Sequence, residues 1–437
     1  MSAAGHDAEI AITVAVTAIC VIWWILQPIP IPATSLIPLT VLPLSGVLTA
    51  AQLSAAYGHQ LILLMLAGFL LSTALERNAA HRRVALGMIN LVGGTSARRI
   101  CAGFIAASAV LSMWISNTAA ALMLLPVALA VLEKAPDRRM DVPLLLAIAY
   151  GCAIGGMGTP IGTPPNIVLM GIYEETTGTQ ITFTQWMRWT LPIVLVFLPV
   201  AAWWLTRHLG GVAGVSLPAL GRWAPAERRV LIVFALVALG WITRREPFGG
   251  WSGFFNAPGA TDAMVGLLGV LILFLVPSGR EEGDRLLDWE SANKIPWGIL
   301  LLFAGGLAIA AAFQASGLSA IVGNALSAAS DLHPLLLILS LCLVITFLTE
   351  ATSNTATTTL LLPIVAAMAV AAQLDPRLVM LPVALSASCA FMLPVATPPN
   401  VVVFGSGRVP IERMAREGLA MNLFGAVIIS GLLYLLL

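Results

Sequence analysis

The chain is 437 residues long; 59% of them are apolar, only 10% are charged, and 22 Lys and Arg stand against 21 Asp and Glu. Soluble domains carry about 25% charged residues, so the charge here cannot cover a water-facing surface or attract nucleic acid. The same hydrophobicity excludes disorder, and the composition is that of a polytopic membrane protein.

Lipid admits only helices or closed barrels as spanning structures, and the long apolar runs favour helices. In chain order, spans are predicted at 10–27, 30–50, 59–76, 141–171, 189–208, 228–243, 262–278, 297–314, 376–404 and 417–437. Shorter apolar pieces at 80–94 and 317–330 extend the spans before them as broken helices. Two further stretches, 100–132 and 334–371, exceed thirty residues, and each is interrupted near its middle by a polar run. The first residues carry Asp7 and Glu9 instead of Lys or Arg, so Ile10 to Leu26 reads as a span and not as a signal peptide. The five scattered cysteines suggest no disulfide framework. The histidines form no metal motif, and no catalytic dyad is legible, so the chain does not read as an enzyme.

Charge placement orients the spans. With the N-terminus outside and ten alternating spans, every basic residue except Arg188, Arg244, Arg245 and Arg377 falls inside, as the positive-inside rule requires. This works only if 100–132 and 334–371 return to the side they entered from. Arg98, Arg99, Lys134, Arg138 and Arg139 flank the first. Asp331, His333, Asp375 and Arg377 flank the second, with no positive bias. Two re-entrant hairpins, one from each side, are therefore expected; two full spans are the alternative.

The chain also resembles itself. Leu64-Met-Leu-Ala-Gly-Phe-Leu-Leu71 is matched 237 positions on by Leu301-Leu-Phe-Ala-Gly-Gly-Leu-Ala308. Ser116-Asn117-Thr118-Ala119 recurs at the same offset as Ser353-Asn354-Thr355-Ala356, and Thr163-Pro164-Pro165-Asn166 recurs 234 positions on as Thr397-Pro398-Pro399-Asn400. Because the copies enter from opposite sides, the repeats are read as inverted. Inverted repeats mark secondary transporters with mid-membrane sites at discontinuous helices.

The residue types suggest the chemistry. A hairpin tip exposes a helix N-terminus, whose free N–H groups favour an anion, and Asn and Thr can donate to carboxylate oxygens. Prolines break a helix, and carbonyls freed there can join Ser, Thr and Asn oxygens around a small cation. A single Ser-Asn-Thr is usually a cap and a single Thr-Pro-Pro-Asn a kink; duplication at matched spacing raises both to candidate sites. Gly155-Gly156-Met157-Gly158 lacks the Lys-Ser/Thr of a phosphate loop and reads as packing or helix breakage. Glu350, matched by Met113 in the first copy, either adds negative charge near a cation or is simply paired or hydrated. Glu76 and Arg77 read as a helix-end pair, and Thr159 as a position whose loss changes little.

These paired tips and breaks resemble the divalent anion/sodium symporter family, from Trp23-Trp24-Ile25-Leu26-Gln27-Pro28-Ile29-Pro30 to the C-terminus. The resemblance implies an all-α, inverted-repeat transporter of the cytoplasmic membrane, working as an elevator: scaffold at 1–99 and 209–330, transport domain at 100–208 and 331–437. It implies a homodimer and at least two sodium sites. One would use Ser112, Ser116, Asn117 and the backbone at Gly162; the other Thr349, Thr352, Asn354 and the backbone at Ala396. Substrate would meet Asn117, Thr118, Thr163, Pro164, Asn354, Thr355, Thr397 and Pro398. Longer members have a further span before the Trp-Trp region; this chain starts close to it, which gives the ten spans and outside N-terminus above.

The function expected is sodium-coupled uptake of a C4-type dicarboxylate such as succinate, fumarate or malate. The alternatives are a sodium-independent exchanger or a sulfate or citrate carrier of the same family, and then an anion channel.

Overall fold

The structure is a computed structural model that describes residues 3–93, 96–135, 137–212, 221–246, 249–326 and 333–437. Asp331 and the end of the stretch at 317–330 lie outside the described residues. The chain opens with α1 (Ala3–Leu26), whose 24 residues extend about 36 Å, enough to cross the hydrocarbon core. The span expected at 30–50 is instead shorter and broken, as α2 (Ile31–Thr34) and α3 (Leu36–Leu44). Pro32, Pro38 and Pro43 remove backbone donors there, and the chain turns at Gly46, whose φ of +80° suits glycine. In α4 (Ala50–Tyr57), Thr49 and Gln52 form a capping box.

From this point the order of elements occurs twice. First come α5 (Gln60–Arg77) and α6 (Ala80–Val92), then the hairpin of α7 (Ala97–Ser112) and α8 (Asn117–Lys134). The broken helix of α9 (Asp141–Gly156) and α10 (Pro164–Thr177) follows, and α11 (Phe183–Thr206) closes the series. Four connecting helices intervene: α12 (Pro225–Ile242), α13 (Gly250–Phe254), α14 (Asp262–Leu275) and α15 (Trp289–Ala292). The second series is α16 (Trp297–Ala315), α17 (Leu318–Leu326), the hairpin of α18 (Pro334–Ala351) and α19 (Asn354–Ala371), the broken helix of α20 (Arg377–Ala387) and α21 (Pro398–Phe404), and α22 (Ile411–Leu436). Among the described residues, nine helical stretches are long and apolar enough to cross a membrane.

The prolines do not interrupt the spans at 141–171 and 376–404 in the way expected. Pro164-Pro165 and Pro398-Pro399 begin α10 and α21, where a helix needs no backbone donor. The breaks in the α-helix precede them, at 157–163 and 388–397, the second including a short 3₁₀ turn at Pro394–Ala396. Glycines let neighbours press against these breaks. A Cβ on Gly155 would lie 2.2 Å from the Ala109 carbonyl oxygen, so α9 crosses α7 backbone to backbone. A Cβ on Gly418 would lie 2.3 Å from the Phe391 oxygen, which seats α22 on the second break.

Polar contacts sort the helix ends into two groups. In one, Arg77 bonds Asp284 (2.8 Å) and Asp288 (2.5 Å), Arg83 bonds Glu227 (2.7 Å), Arg207 bonds Glu417 (2.8 Å), and Arg408 faces Asp141 (3.7 Å). In the other, Arg244 bonds Asp262 (2.6 Å), Arg188 bonds Glu246 (2.7 Å), His59 faces Glu174 (3.6 Å), and Arg377 pairs with Asp375. Among the described residues, no ion pair joins the groups. Arg77 therefore does not form the expected pair with Glu76, which accepts from the Ser72 hydroxyl at 2.9 Å. The Ser278 hydroxyl and the Arg77 guanidinium hold the Asp284 carboxyl well below the usual carboxylate range.

Candidate functional site

Helices α8 and α19 begin at the hairpin tips. Ser116 caps α8 by accepting from the Ala119 N–H (3.2 Å), which leaves the N–H groups of Asn117 and Thr118 without helical partners. Ser353 makes no such cap bond, so the second tip keeps the N–H groups of Asn354, Thr355 and Ala356. Behind each tip, a hydroxyl from the preceding limb meets the Asn carboxamide. Ser112 contacts Asn117 Oδ1, and Thr349 Oγ1 lies 2.8 Å from Asn354 Oδ1 and 3.0 Å from the Ala387 carbonyl oxygen. One hydroxyl proton cannot serve two acceptors, so this cluster has more lone pairs than protons and can take a small hard cation. Thr352 lies beside it, its hydroxyl 2.5 Å from that of Thr357.

The breaks are fixed by the last residue of each Thr-Pro-Pro-Asn. The buried Asn166 amide donates to the carbonyls of Gly156 (2.9 Å) and Thr159 (2.7 Å). Asn400 donates to those of Ala390 (3.0 Å) and Leu393 (2.9 Å). Most freed carbonyls are answered in this way, Met157 by Trp186 and Cys389 by Thr346. Gly162 and Ala396 differ, because the residues two and three beyond each are prolines and bring no N–H. Thr159 is not the neutral position expected: it is fully buried, its hydroxyl donates to the Met113 carbonyl, and its own carbonyl takes Asn166.

Tips and breaks meet at one cavity of about 820 Å³. Ser116, Asn117, Thr118, Gly162, Thr163 and Pro164 line it from the first repeat; Thr352, Asn354, Thr355, Ala396, Thr397 and Pro398 line it from the second. Ser112 and Thr349 are fully buried one layer behind. The cavity continues past Phe69 and Leu302 to Gln27, Pro32 and Pro296, at the end of the bundle where Arg77 meets Asp284. No charged side chain lines it among the described residues.

Three contributors escape a reading of the motifs. Gly156 leaves space that a Cβ would fill, 3.1 Å from Asn117 Oδ1 and 3.4 Å from the Gly162 carbonyl oxygen. Ser72, from α5, accepts from the Ser116 N–H at 3.4 Å. Ala387 contributes a backbone oxygen, which no side-chain pattern announces. Glu350 is held by neutral donors: its carboxylate accepts from the N–H groups of Phe391 (2.7 Å), Met392 (2.8 Å) and Leu393 (3.0 Å) and from the Asn422 amide (2.8 Å).

Comparison with known proteins agrees with this architecture. A family model described as "Sodium:sulfate symporter transmembrane region" matches residues 3–435. The sodium-dependent dicarboxylate transporter SdcS of Staphylococcus saprophyticus is 41% identical over 97% of this chain and 85% of its own length. SdcS of Staphylococcus aureus strain USA300 is 40% identical over 96% of this chain and 84% of its own. The crystal structure of the Alcanivorax borkumensis YdaH transporter superposes with a TM-score of 0.66, covering 96% of this chain and 98% of that one; at 16% identity, it speaks for the fold alone. A match from residue 3 to residue 435, together with relatives at 40% identity or more, establishes that the chain belongs to the sodium:sulfate symporter family, the divalent anion/sodium symporters.

Proposed function

We propose that the chain is a secondary carrier that couples sodium entry to uptake of a C4-type dicarboxylate across the cytoplasmic membrane. The observation that carries this is a cavity lined, among the described residues, by two Asn-bearing helix starts and by no charged side chain. A dianion entering it meets no arginine or lysine among those residues. Its charge must be met by N–H groups, amides, hydroxyls and cations that travel with it. The oxygen clusters of Ser112, Ser116, Asn117 and Gly162, and of Thr349, Thr352, Asn354 and Ala396, are the places for two sodium ions. The SdcS relatives, named for sodium-dependent dicarboxylate transport, support the choice of ion and substrate.

The same reading takes 1–99 and 209–330 as a scaffold, joined to its copy in a homodimer, and 100–208 and 331–437 as the moving part. The two groups of helix ends support hairpins entering from opposite sides. Arg98 at the base of the first reaches the Thr206 and Arg207 carbonyls, whereas His333 at the base of the second packs against Tyr434. With the basic group inside, the N-terminus is outside and the cavity opens inward.

Succinate uptake into proteoliposomes, with and without an inward sodium gradient, tests the function. Uptake should require sodium, and unlabelled internal succinate should drive transient accumulation of label. Equal uptake in potassium would sink the symport reading in favour of exchange, and counterflow that never overshoots would favour a channel. The family description names sulfate, so sulfate is the competitor to include.

A further inference from the structure

The two oxygen clusters are built to one plan, but they do not have the same surroundings. Position 350, directly after Thr349, is a buried glutamate, and its counterpart in the first repeat is Met113. Glu350 Oε1 accepts from the N–H groups of Phe391 and Met392 and from the Asn422 amide; Oε2 accepts from the Leu393 N–H. Leu393 in turn accepts from the Ala396 N–H at 3.3 Å. The carboxylate therefore holds residues 391–393, which lead into the 3₁₀ turn that delivers the Ala396 carbonyl, while its neighbour Thr349 holds Asn354 and Ala387. All of its partners are neutral, and no ion pair to it occurs among the described residues. A charge buried without a counter-ion is costly, and a cation bound nearby offsets that cost. The Met113 side chain supplies no charge and no carboxylate oxygen; it packs where a Cβ on Gly158 would fall, 3.1 Å away.

We infer that Glu350 is a positioning residue that makes the two cation sites unequal, so that the cluster of the second repeat binds its cation more tightly and loads first. The inference rests on the sodium-coupled reading above. It departs from the symmetry that the duplicated motifs suggest.

Glu350→Gln isolates the effect. A glutamine oxygen at the Oε1 position keeps three of the four hydrogen bonds and removes the charge. The full chain, purified in lipid nanodiscs, is titrated with sodium chloride while its melting temperature is followed, and with choline chloride as the control. Wild type should respond in two phases. Thr349→Ala should remove the tight phase and Ser112→Ala the weak one. Glu350→Gln should melt near wild type without sodium, yet need roughly ten- to hundredfold more sodium for the first phase, the range seen when a metal ligand loses its outer partner. An unchanged first phase in Glu350→Gln, or its loss in Ser112→Ala, overturns the inference while leaving sodium coupling intact. A wild type indifferent to sodium overturns both. Should Glu350→Gln fail to fold, Asn422→Ala keeps the charge but drops one donor. With one donor fewer the buried charge leans harder on a cation, so the first phase should move to lower sodium, and no shift is again an overturning result.

Discussion

Asn166 and Asn400 hold equivalent positions in two copies of one device. Each carboxamide donates backward to the carbonyls ten and seven residues before it, at 2.9 and 2.7 Å in the first repeat and 3.0 and 2.9 Å in the second. The prolines before them start a helix; the asparagines keep the preceding segment from collapsing into that helix. Replacing either with alanine strands one buried carbonyl, that of Gly156 or Ala390, and leaves Thr159 or Leu393 with a single 3.3 Å backbone bond; this costs roughly 1–3 kcal/mol and releases the break. Asn166→Ala and Asn400→Ala should each lower the melting temperature and abolish succinate uptake. Wild-type uptake by either variant would refute the clamp.

Gly156 and Gly155 are neighbours with different duties. A methyl group on Gly156 would sit 3.1 Å from Asn117 Oδ1, so Gly156→Ala should cost roughly 1–3 kcal/mol of sodium affinity through overpacking, while the protein still folds. Gly155→Ala would put a methyl group 2.2 Å from the Ala109 oxygen and should fail in folding itself. Sodium titration of uptake and detergent-resistant yield separate the two outcomes. Ala390 stands in the second repeat where the first has Gly156, and Ala390→Gly should be mild.

Sodium withdrawal should be visible without transport. If Asn117 and Asn354 each serve a cation and the substrate, sodium raises substrate affinity and substrate raises sodium affinity by the same factor. Sodium should raise the melting temperature, a ligand at a hundredfold its Kd contributing about 2.7 kcal/mol. Succinate should add to this only in sodium. Asn117→Ala and Asn354→Ala should weaken both effects. Equal stabilisation by potassium would show that the cation sites are misassigned.

Sidedness can be read by thiol labelling, because all five native cysteines are buried and free. Cysteine at exposed Lys134 should react with an impermeant reagent only from inside, and cysteine at exposed His333 only from outside. Labelling of positions 99 and 134 from opposite faces would make the first hairpin a full span and end the inverted-repeat reading.

The loop beyond α14 should be indifferent to mild acid. Ser278 and Arg77 depress the Asp284 carboxyl, so its contribution to stability is complete above the ordinary carboxylate range and is lost as pH falls through the lowered one. Limited proteolysis of 276–289 should give one pattern from pH 7 to pH 5, with loosening only below about pH 4. Cleavage that rises between pH 7 and pH 5 would assign the loop's hold to other groups.

What the sequence determined by itself was periodic, apolar or repeated. The helical hairpins, most of the long apolar helices, the two tips and the two proline pairs were legible because lipid enforces long apolar runs and because duplication gives each motif a second witness; the stretch at 30–50 was not, because its prolines divide it into short helices. Local chemistry also reached the cavity: Asn117, Thr163, Asn354 and Thr397 all line it. Only the tertiary structure decided what lies opposite each group. Arg77 chose Asp284 and Asp288 over its neighbour Glu76; Thr159 became a strut against Met113; Glu350 found three N–H groups some forty residues away. Sequence spacing says which atoms are available to the site, but a buried polar group takes the partner that folding brings within about 3 Å, and that partner is set by helix crossings, which the motifs do not encode.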